Sequence, residues 1–155
     1  MQSLIYRHLE GRNNPEVFGL QVIANELDEV MGYEEKLLSR GINLTVDQVV
    51  DKIHRLGGVA VASHIDRESY SVISQLGFIP DTLRFDALEL TRHIRTEEAR
   101  KRFAGSRTWT FIRNSDAHYL DDIGINTCEY LLECPTYAEI SKALKGEDGR
   151  MVCEA

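Results

Sequence analysis

The sequence has few cysteines, and their spacing does not suit a cross-linked scaffold. There are three, Cys128, Cys134 and Cys153, an odd number without any C-x-x-C pair. A disulfide framework or a structural zinc knot needs more cysteines, closer together. We therefore expect reduced thiols, buried or half-buried in strands.

Long apolar runs are also absent. No stretch approaches the roughly 20 apolar residues that a bilayer-spanning helix requires. Residues 1–7 lack the basic start, apolar middle and small-residue cleavage site of a signal peptide. These absences predict a cytoplasmic protein with no membrane partner. Hydrophobic residues at 43% and charged residues at 28% are typical of a globular fold, and 155 residues predict a single domain over 1–155.

Basic residues are fewer than acidic ones. The sequence has 18 Lys and Arg residues and 25 Asp and Glu residues, for a net charge of −7. General nucleic-acid binding depends on neutralising phosphates, so this balance disfavours direct nucleic-acid binding. It does not exclude a local basic pocket for one phosphate.

What the chain does contain is a regular alternation of strand and helix patterns. A helix is predicted to end near residue 9, and two apolar runs around an acidic turn predict a β-hairpin near residues 20–33. Further strands are predicted at 59–63, 85–90, 108–112 and 127–132, with helices at 46–56, 70–76, from 96 onwards and 137–144. Thr45 with Gln48, and Thr136 with Glu139, fit capping boxes. The alternation with short links predicts an α/β fold with a mainly parallel sheet.

Candidate site residues follow two of the predicted parallel strands. His64 comes directly after strand 59–63, and Asp116 and His118 follow the strand that ends near Ser115. Ligands gather at the carboxyl edge of parallel sheets. On extended backbone, residues two apart point the same way, so Asp116 and His118 can meet one cation while Ala117 turns away.

Two imidazoles and one carboxylate suit a divalent metal with open coordination positions, as hydrolytic sites require. The plainer interpretations stay open from the residues alone. Asp-x-His is a common loop sequence, and His64 can be an ordinary strand-end histidine.

The sequence around these residues resembles the PHP (polymerase and histidinol phosphatase) family, and within it the stand-alone bacterial phosphoesterases. The resemblance runs in order from about residue 18 to 150. The segments that carry it are 57–67 (GGVAVASHIDR), 76–80 (LGFIP), 86–90 (DALEL) and 114–124 (NSDAHYLDDIG).

The resemblance implies a distorted seven-stranded (β/α) barrel with up to three divalent ions, zinc, manganese or iron, at its mouth. It implies phosphate-ester substrates, which in this family are small molecules such as histidinol phosphate, nucleotides or DNA ends. By motif, His64 matches the histidine at the end of a middle strand, and Asp116 and His118 match the closing Asp-x-His. No catalytic residue is expected apart from the metal ligands.

Part of the family pattern is not found in this sequence. The family's opening His-x-His motif, its next histidine and its bridging glutamate precede the matching region, and His8 has no partner two residues away. We therefore expect the carboxy-terminal half of a PHP barrel. Such a half is expected to self-associate or to need an amino-terminal partner segment, and to show weak metal retention and negligible turnover alone.

Four other residues are candidates for supporting roles. Arg67 can hold a substrate phosphate, or pair with Asp66 or Glu68 at the surface. Glu89, on a strand that points at the family's site, is interpreted as a supporting or a structural carboxylate. His93 can reach the cleft, and Tyr119 can pack against the ligands.

Two functions of different classes follow. The first is a metal-dependent phosphoesterase to which this chain supplies part of the metal site. The second is a non-catalytic structural or interaction module, inactive because most of the family's metal ligands are missing.

Overall fold

The computed structural model describes residues 1–103, 105 and 107–153. The chain divides into two compact units, Met1–Lys52 and Ile53–Ala155. The single domain over 1–155 stays a prediction. Within the described ranges, no helix has both the length and the apolarity needed to cross a membrane.

The elements alternate as the sequence pattern indicates, but most are short. In chain order they are α1 (Gln2–His8), α2 (Pro15–Phe18), β1 (Val22–Ala24), β2 (Val30–Tyr33), α3 (Val46–Arg55), β3 (Val61–Ala62), α4 (Val72–Leu76), β4 (Ala87–Leu90), α5 (Thr96–Arg102), β5 (Phe111–Arg113), a 3-10 turn (Leu120–Asp122), β6 (Glu129–Leu131), α6 (Tyr137–Lys145) and β7 (Met151–Cys153).

The predicted hairpin near residues 20–33 is confirmed. β1 and β2 pair antiparallel, with Val22 opposite Tyr33 and a bulge between Ile23 and Ala24. Asn25 organises the turn, because its side-chain oxygen accepts hydrogen bonds from the backbone of Leu27 and Glu29. This use of asparagine is a common way to stabilise a turn.

A three-stranded parallel sheet forms the centre of the second unit. Its order is β3-β4-β5, and it pairs Ala62 with Leu88 and Leu88 with Phe111. In β4, Ala87, Leu88 and Leu90 are fully buried. Burial on both faces suits the central strand of a parallel sheet. The parallel pairing predicted from the alternation of strands and helices is confirmed for these three strands.

The prediction of a mainly parallel sheet is correct only for these three strands. The strand predicted at 127–132 forms β6, which pairs antiparallel with β7, with Tyr130 opposite Val152. β7 was not predicted. The architecture is therefore a mixed α/β fold with one parallel sheet and two antiparallel strand pairs.

The core of the second unit joins the parallel sheet to α6 and the β6–β7 pair. Its buried centre comprises Ala87, Ile112 and Leu144. Partly buried apolar side chains pack against this centre: Val59, Val61, Cys128, Tyr130 and Val152. Burial in this layer raises the pKa of the Tyr130 hydroxyl to about 12, with a further contribution from Cys128.

Cys128 and Cys153 are half-buried free thiols, whereas Cys134 is exposed.

A carboxylate closes the amino-terminal edge of the parallel sheet. Asp86, directly before β4, accepts a hydrogen bond from the Ala60 backbone at 2.7 Å and contacts Nε2 of His54 at 2.8 Å. Its side chain is only 10% exposed. The contact connects the end of α3 to the sheet, so we interpret His54 and Asp86 as structural.

We predict that Asp86→Ala lowers the free energy of unfolding by about 1–3 kcal/mol, because it leaves buried hydrogen-bonding groups without a partner. Urea unfolding followed by circular dichroism measures the change. Asp121→Ala, at an exposed aspartate of the 3-10 turn, is the matched control. Equal midpoints for the two variants would contradict the structural role.

A buried ion cluster joins α6 to β7. Thr136 caps α6 by accepting from the Glu139 backbone, but the Glu139 carboxylate does not complete the predicted capping box. It accepts instead from Nε of Arg150 at 2.6 Å and from the Glu133 backbone at 3.0 Å. The hydrogen bond from Arg150 is the main reason why the pKa of Glu139 falls to about 2.

This lowered pKa predicts acid-dependent stability. Since the folded-state pKa is below the ordinary value of 4.5, the contribution of Glu139 is fully present above about pH 4.5 and is lost as the pH falls towards 2. We expect the urea midpoint of the wild type to fall more steeply over that range than the midpoint of Glu139→Gln. Glu147→Gln, at an exposed glutamate, should follow the wild type. Parallel pH profiles for the wild type and Glu139→Gln would show that the carboxylate contributes nothing.

Candidate metal and phosphate site

An open cavity of about 470 Å³ lies where β3, β4 and β5 end. Its walls come from the residues that follow each strand and from the segment before β6. The lining residues are His64, Asp66, Arg67, Glu68, Glu89, Thr91, Arg92, His93, Asn114, Ser115, Asp116, His118, Asp122, Ile125 and Asn126. The structure therefore brings His64, Asp116 and His118 to one cavity at the carboxyl edge of the parallel sheet.

His64 lies two residues beyond β3, on a short turn fixed to the neighbouring strand. The next residue, Ile65, is buried and donates its backbone N–H to the Glu89 carbonyl at 2.9 Å. His64 has a φ of 26°, a value that non-glycine residues rarely adopt. Its Nδ1 atom is buried and has no hydrogen-bond partner in the described chain. Buried polar atoms are normally paired, so this nitrogen is a candidate ligand atom.

Asp116 has its two carboxylate oxygens turned towards different partners. Oδ2 accepts a hydrogen bond from Nη1 of Arg67 at 2.8 Å, and Oδ1 lies 3.8 Å from Nε2 of His118. Asp116 also has a positive φ, 49°. The His118 side chain is 75% exposed, which leaves its ring free to turn towards a ligand.

The loop that carries Asp116 and His118 is held by polar contacts at both ends. Asp122 accepts from the backbone N–H groups of His118 and Tyr119, at 3.2 and 3.1 Å. At the other end, the Ser115 hydroxyl donates to the Asn126 carbonyl and accepts from the Gly124 backbone. The loop geometry is thus set by side chains within the cavity wall.

The other predicted site residues have different placements. Glu89 accepts from the side chain of Asn114 at 2.9 Å, inside the cavity, so it supports the β5 end of the wall. His93 lines the cavity and is exposed. Tyr119 is 79% exposed and lies outside the set of cavity-lining residues, so the expected packing against the ligands is not found.

The ion pair predicted between Arg67 and Asp66 or Glu68 is not the one that the structure shows. Arg67 pairs with Asp116, whereas Asp66 accepts from the backbone and hydroxyl of Thr91. The Asp66–Thr91 contact holds the loop after β3 against the loop after β4. Asp66 is therefore structural, and Arg67 faces the candidate ligand.

The donor chemistry of the cavity fits a divalent cation. Two imidazoles, one of which carries the unpartnered buried nitrogen, and a carboxylate are donors that zinc and iron bind, and the carboxylate also suits manganese. In residues 1–103, 105 and 107–153, however, no three His, Cys, Asp or Glu side chains already stand grouped for a metal. Asp116 is paired with Arg67 instead.

Sequence reasoning missed the residues that shape this cavity. Ser115, Asp122 and Asn126 act through hydrogen bonds to loop backbone, and Asn114 acts through Glu89. The one available signal was the position of Asp122, four residues after His118, where a carboxylate can cap the loop backbone.

Comparison with known proteins gives a fold likeness and one sequence relative. No family model matches the chain. Over 123 residues, 76% of the chain, it is 29% identical to the uncharacterized protein YqxK of Bacillus subtilis (strain 168). This stretch is 30% of the length of YqxK, so the chain spans about a third of that relative.

Two solved structures share the fold. One is the lesion-specific endonuclease PfuEndoQ from Pyrococcus furiosus, with a TM-score of 0.60 and 22% identity over 72% of this chain and 29% of that one. The other is an endonuclease Q complex with a 27-mer duplex substrate carrying an abasic lesion at the active site, with a TM-score of 0.58 and 22% identity over 71% and 29%. At this identity the likeness establishes a partial α/β fold of that type.

We predict that Asp122→Ala loosens the loop that carries His118. Without the carboxylate, the amides of His118 and Tyr119 should exchange with solvent about two- to tenfold faster, as expected for loss of one net hydrogen bond. Hydrogen exchange of the ¹⁵N-labelled protein by NMR measures this directly. Asp121→Ala is the matched control, and unchanged protection in Asp122→Ala would mean that the loop is held by other contacts.

Proposed function

We propose that this cavity is part of a metal-dependent phosphoester hydrolase site. The observation that carries the proposal is the buried, unpartnered Nδ1 of His64 in the same cavity as Asp116, His118 and the Arg67 guanidinium. This combination offers ligand atoms for a cation beside a cationic group that suits a phosphate. The resemblance to PHP phosphoesterases and the fold likeness to an endonuclease support the same reaction class.

In this proposal each side chain has one role. His64 and His118 provide neutral imidazole nitrogens, and Asp116 provides the anionic ligand. Glu89 orients Asn114 and thereby the start of the Asp116 loop. A bound divalent cation supplies Lewis acidity, which polarises a phosphoryl oxygen and lowers the pKa of water. Zinc, manganese and iron, up to three ions in a complete site of the PHP type, are the proposed cofactors.

For the substrate we propose a phosphodiester of a nucleic acid over a small phosphate ester. One of the solved structures with this fold contains a DNA duplex at its active site. The net charge of −7 disfavours binding by general phosphate attraction. Recognition would therefore depend on local positive charge in the cavity, which we assign to Arg67.

A non-catalytic module is the second candidate. It is favoured by the lack of a preformed group of three metal-binding side chains in the described part of the chain. The two candidates differ in one measurable property, because only the hydrolase site requires a cation bound through His64, Asp116 and His118.

We predict weak but specific Mn²⁺ or Zn²⁺ binding that depends on these three residues. In isothermal titration, His64→Ala and Asp116→Asn should each lower the affinity by about tenfold or more, since even outer-shell changes at metal sites lower it by 10–100-fold. His8→Ala, in the other compact unit, is the control. Hydrolysis of p-nitrophenyl phosphate by this chain is expected to be negligible, because one cation with few ligands cannot both generate the nucleophile and clamp the phosphate.

Two outcomes would count against this picture. Equal metal affinity in the wild type, His64→Ala and Asp116→Asn would contradict the proposed metal site and favour the non-catalytic module. Robust hydrolysis that His118→Ala abolishes would keep the reaction class but show that the chain carries a complete site.

A further inference from the structure

We propose that Arg67 is an internal cation that competes with the divalent metal for Asp116, so that metal binding releases its guanidinium towards the substrate phosphate. The inference rests on the proposed function and goes beyond it. It assigns Arg67 as a residue that couples metal binding to phosphate binding.

The ion pair occupies one of the two carboxylate oxygens of Asp116 that a metal could use. Nη1 of Arg67 lies 2.8 Å from Oδ2 of Asp116, while Oδ1 is turned towards His118 at 3.8 Å. Oδ2 therefore carries a charge-assisted hydrogen bond, whereas Oδ1 has only a longer contact with the His118 ring. A metal that uses Oδ2 has to displace the guanidinium, and a metal at Oδ1 would lie close to it.

The backbone of Arg67 keeps its side chain at the cavity after such an exchange. Its N–H donates to the His64 carbonyl at 3.0 Å, and its carbonyl accepts from the hydroxyl of Ser71 at 2.8 Å. Ser71 is itself buried and caps α4. A released guanidinium is thus confined to the neighbourhood of His64 and Asp116, where a phosphate bound to the cation would lie.

The pair is also weak enough to be exchanged. The side chains of Arg67 and Asp116 are 44% and 40% exposed, so water screens their attraction. A divalent cation with two imidazole ligands offers Asp116 a doubly charged partner. Because two cations cannot share one carboxylate closely without repulsion, metal and guanidinium are expected to exclude each other.

Thermodynamic linkage gives the exchange a measurable consequence. If the metal frees Arg67 for phosphate, then phosphate must raise metal affinity by the same factor. Removal of the guanidinium should therefore have two effects at once. Metal alone should bind more tightly, and the dependence of metal affinity on phosphate should disappear.

The experiment is a Mn²⁺ titration of the purified chain, with free Mn²⁺ measured by electron paramagnetic resonance, in the absence and presence of methyl phosphate. Arg67→Gln should bind Mn²⁺ alone about two- to fivefold more tightly than the wild type, the range set by partly exposed ion pairs. Methyl phosphate should tighten Mn²⁺ binding in the wild type and leave Arg67→Gln unchanged.

Arg92→Gln is the matched control, because it removes the same charge from the same cavity, whereas the described contacts of Asp116 are to Arg67 and His118. Its Mn²⁺ affinity should stay within twofold of the wild type. An equal gain in Arg67→Gln and Arg92→Gln, or a loss in Arg67→Gln, would overturn the exchange, since only general repulsion or a structural role would then remain.

A third variant, Asp116→Asn, separates this inference from the proposed function. If the wild type binds Mn²⁺ through Asp116 but Arg67→Gln gains nothing, the exchange is wrong and the metal site stands. If neither the wild type nor Arg67→Gln binds Mn²⁺, both proposals fall. Binding that emerges only in Arg67→Gln would be the strongest support for competition at Asp116.

Discussion

The parallel pairing of β4 between β3 and β5 is the constraint on which the second unit depends. Ala87, Leu88 and Leu90 are fully buried. A shift of the strand register by one residue would therefore move polar Glu89 into the core. The same register ends all three strands at one edge. His64, Glu89 and Asp116, which are far apart in the chain, consequently line one cavity.

The two edges of this sheet have opposite polar chemistry. At the amino-terminal edge, Asp86 satisfies the Ala60 backbone and His54 together, and the contacts are short and screened from water. At the carboxyl edge, the buried Nδ1 of His64 has no partner in the described chain, and the Asp116 ion pair is half-exposed. Edges of the first kind stabilise α/β folds, whereas edges of the second kind bind ligands, as in other parallel-sheet proteins.

Local patterns predicted the elements better than their long-range partners. The parallel strands and the hairpin were predictable, because the alternation of strands with helices and an acidic turn between apolar runs can be read from the sequence. β7 was not, and its pairing with β6 joins segments about 20 residues apart. The Thr136 cap was also predictable, but the Glu139 side chain bonds Arg150, because an ion pair outcompetes the local capping contact. Arg67 shows the same limit, as its partner Asp116 is 49 residues away.

The backbone at the carboxyl edge is held in an uncommon conformation at two of the candidate ligands. His64 and Asp116 both have positive φ, a conformation that costs non-glycine residues about 1–3 kcal/mol each and persists only where surrounding contacts impose it. Those contacts are present, in the Ile65–Glu89 bond on one side and the Ser115 bonds on the other. Asp28, Tyr70 and Asp148 also have positive φ, so strain by itself does not mark a site. At His64 and Asp116 it coincides with an unpartnered buried nitrogen and an exchangeable carboxylate, and that combination is what a pre-organised ligand site requires.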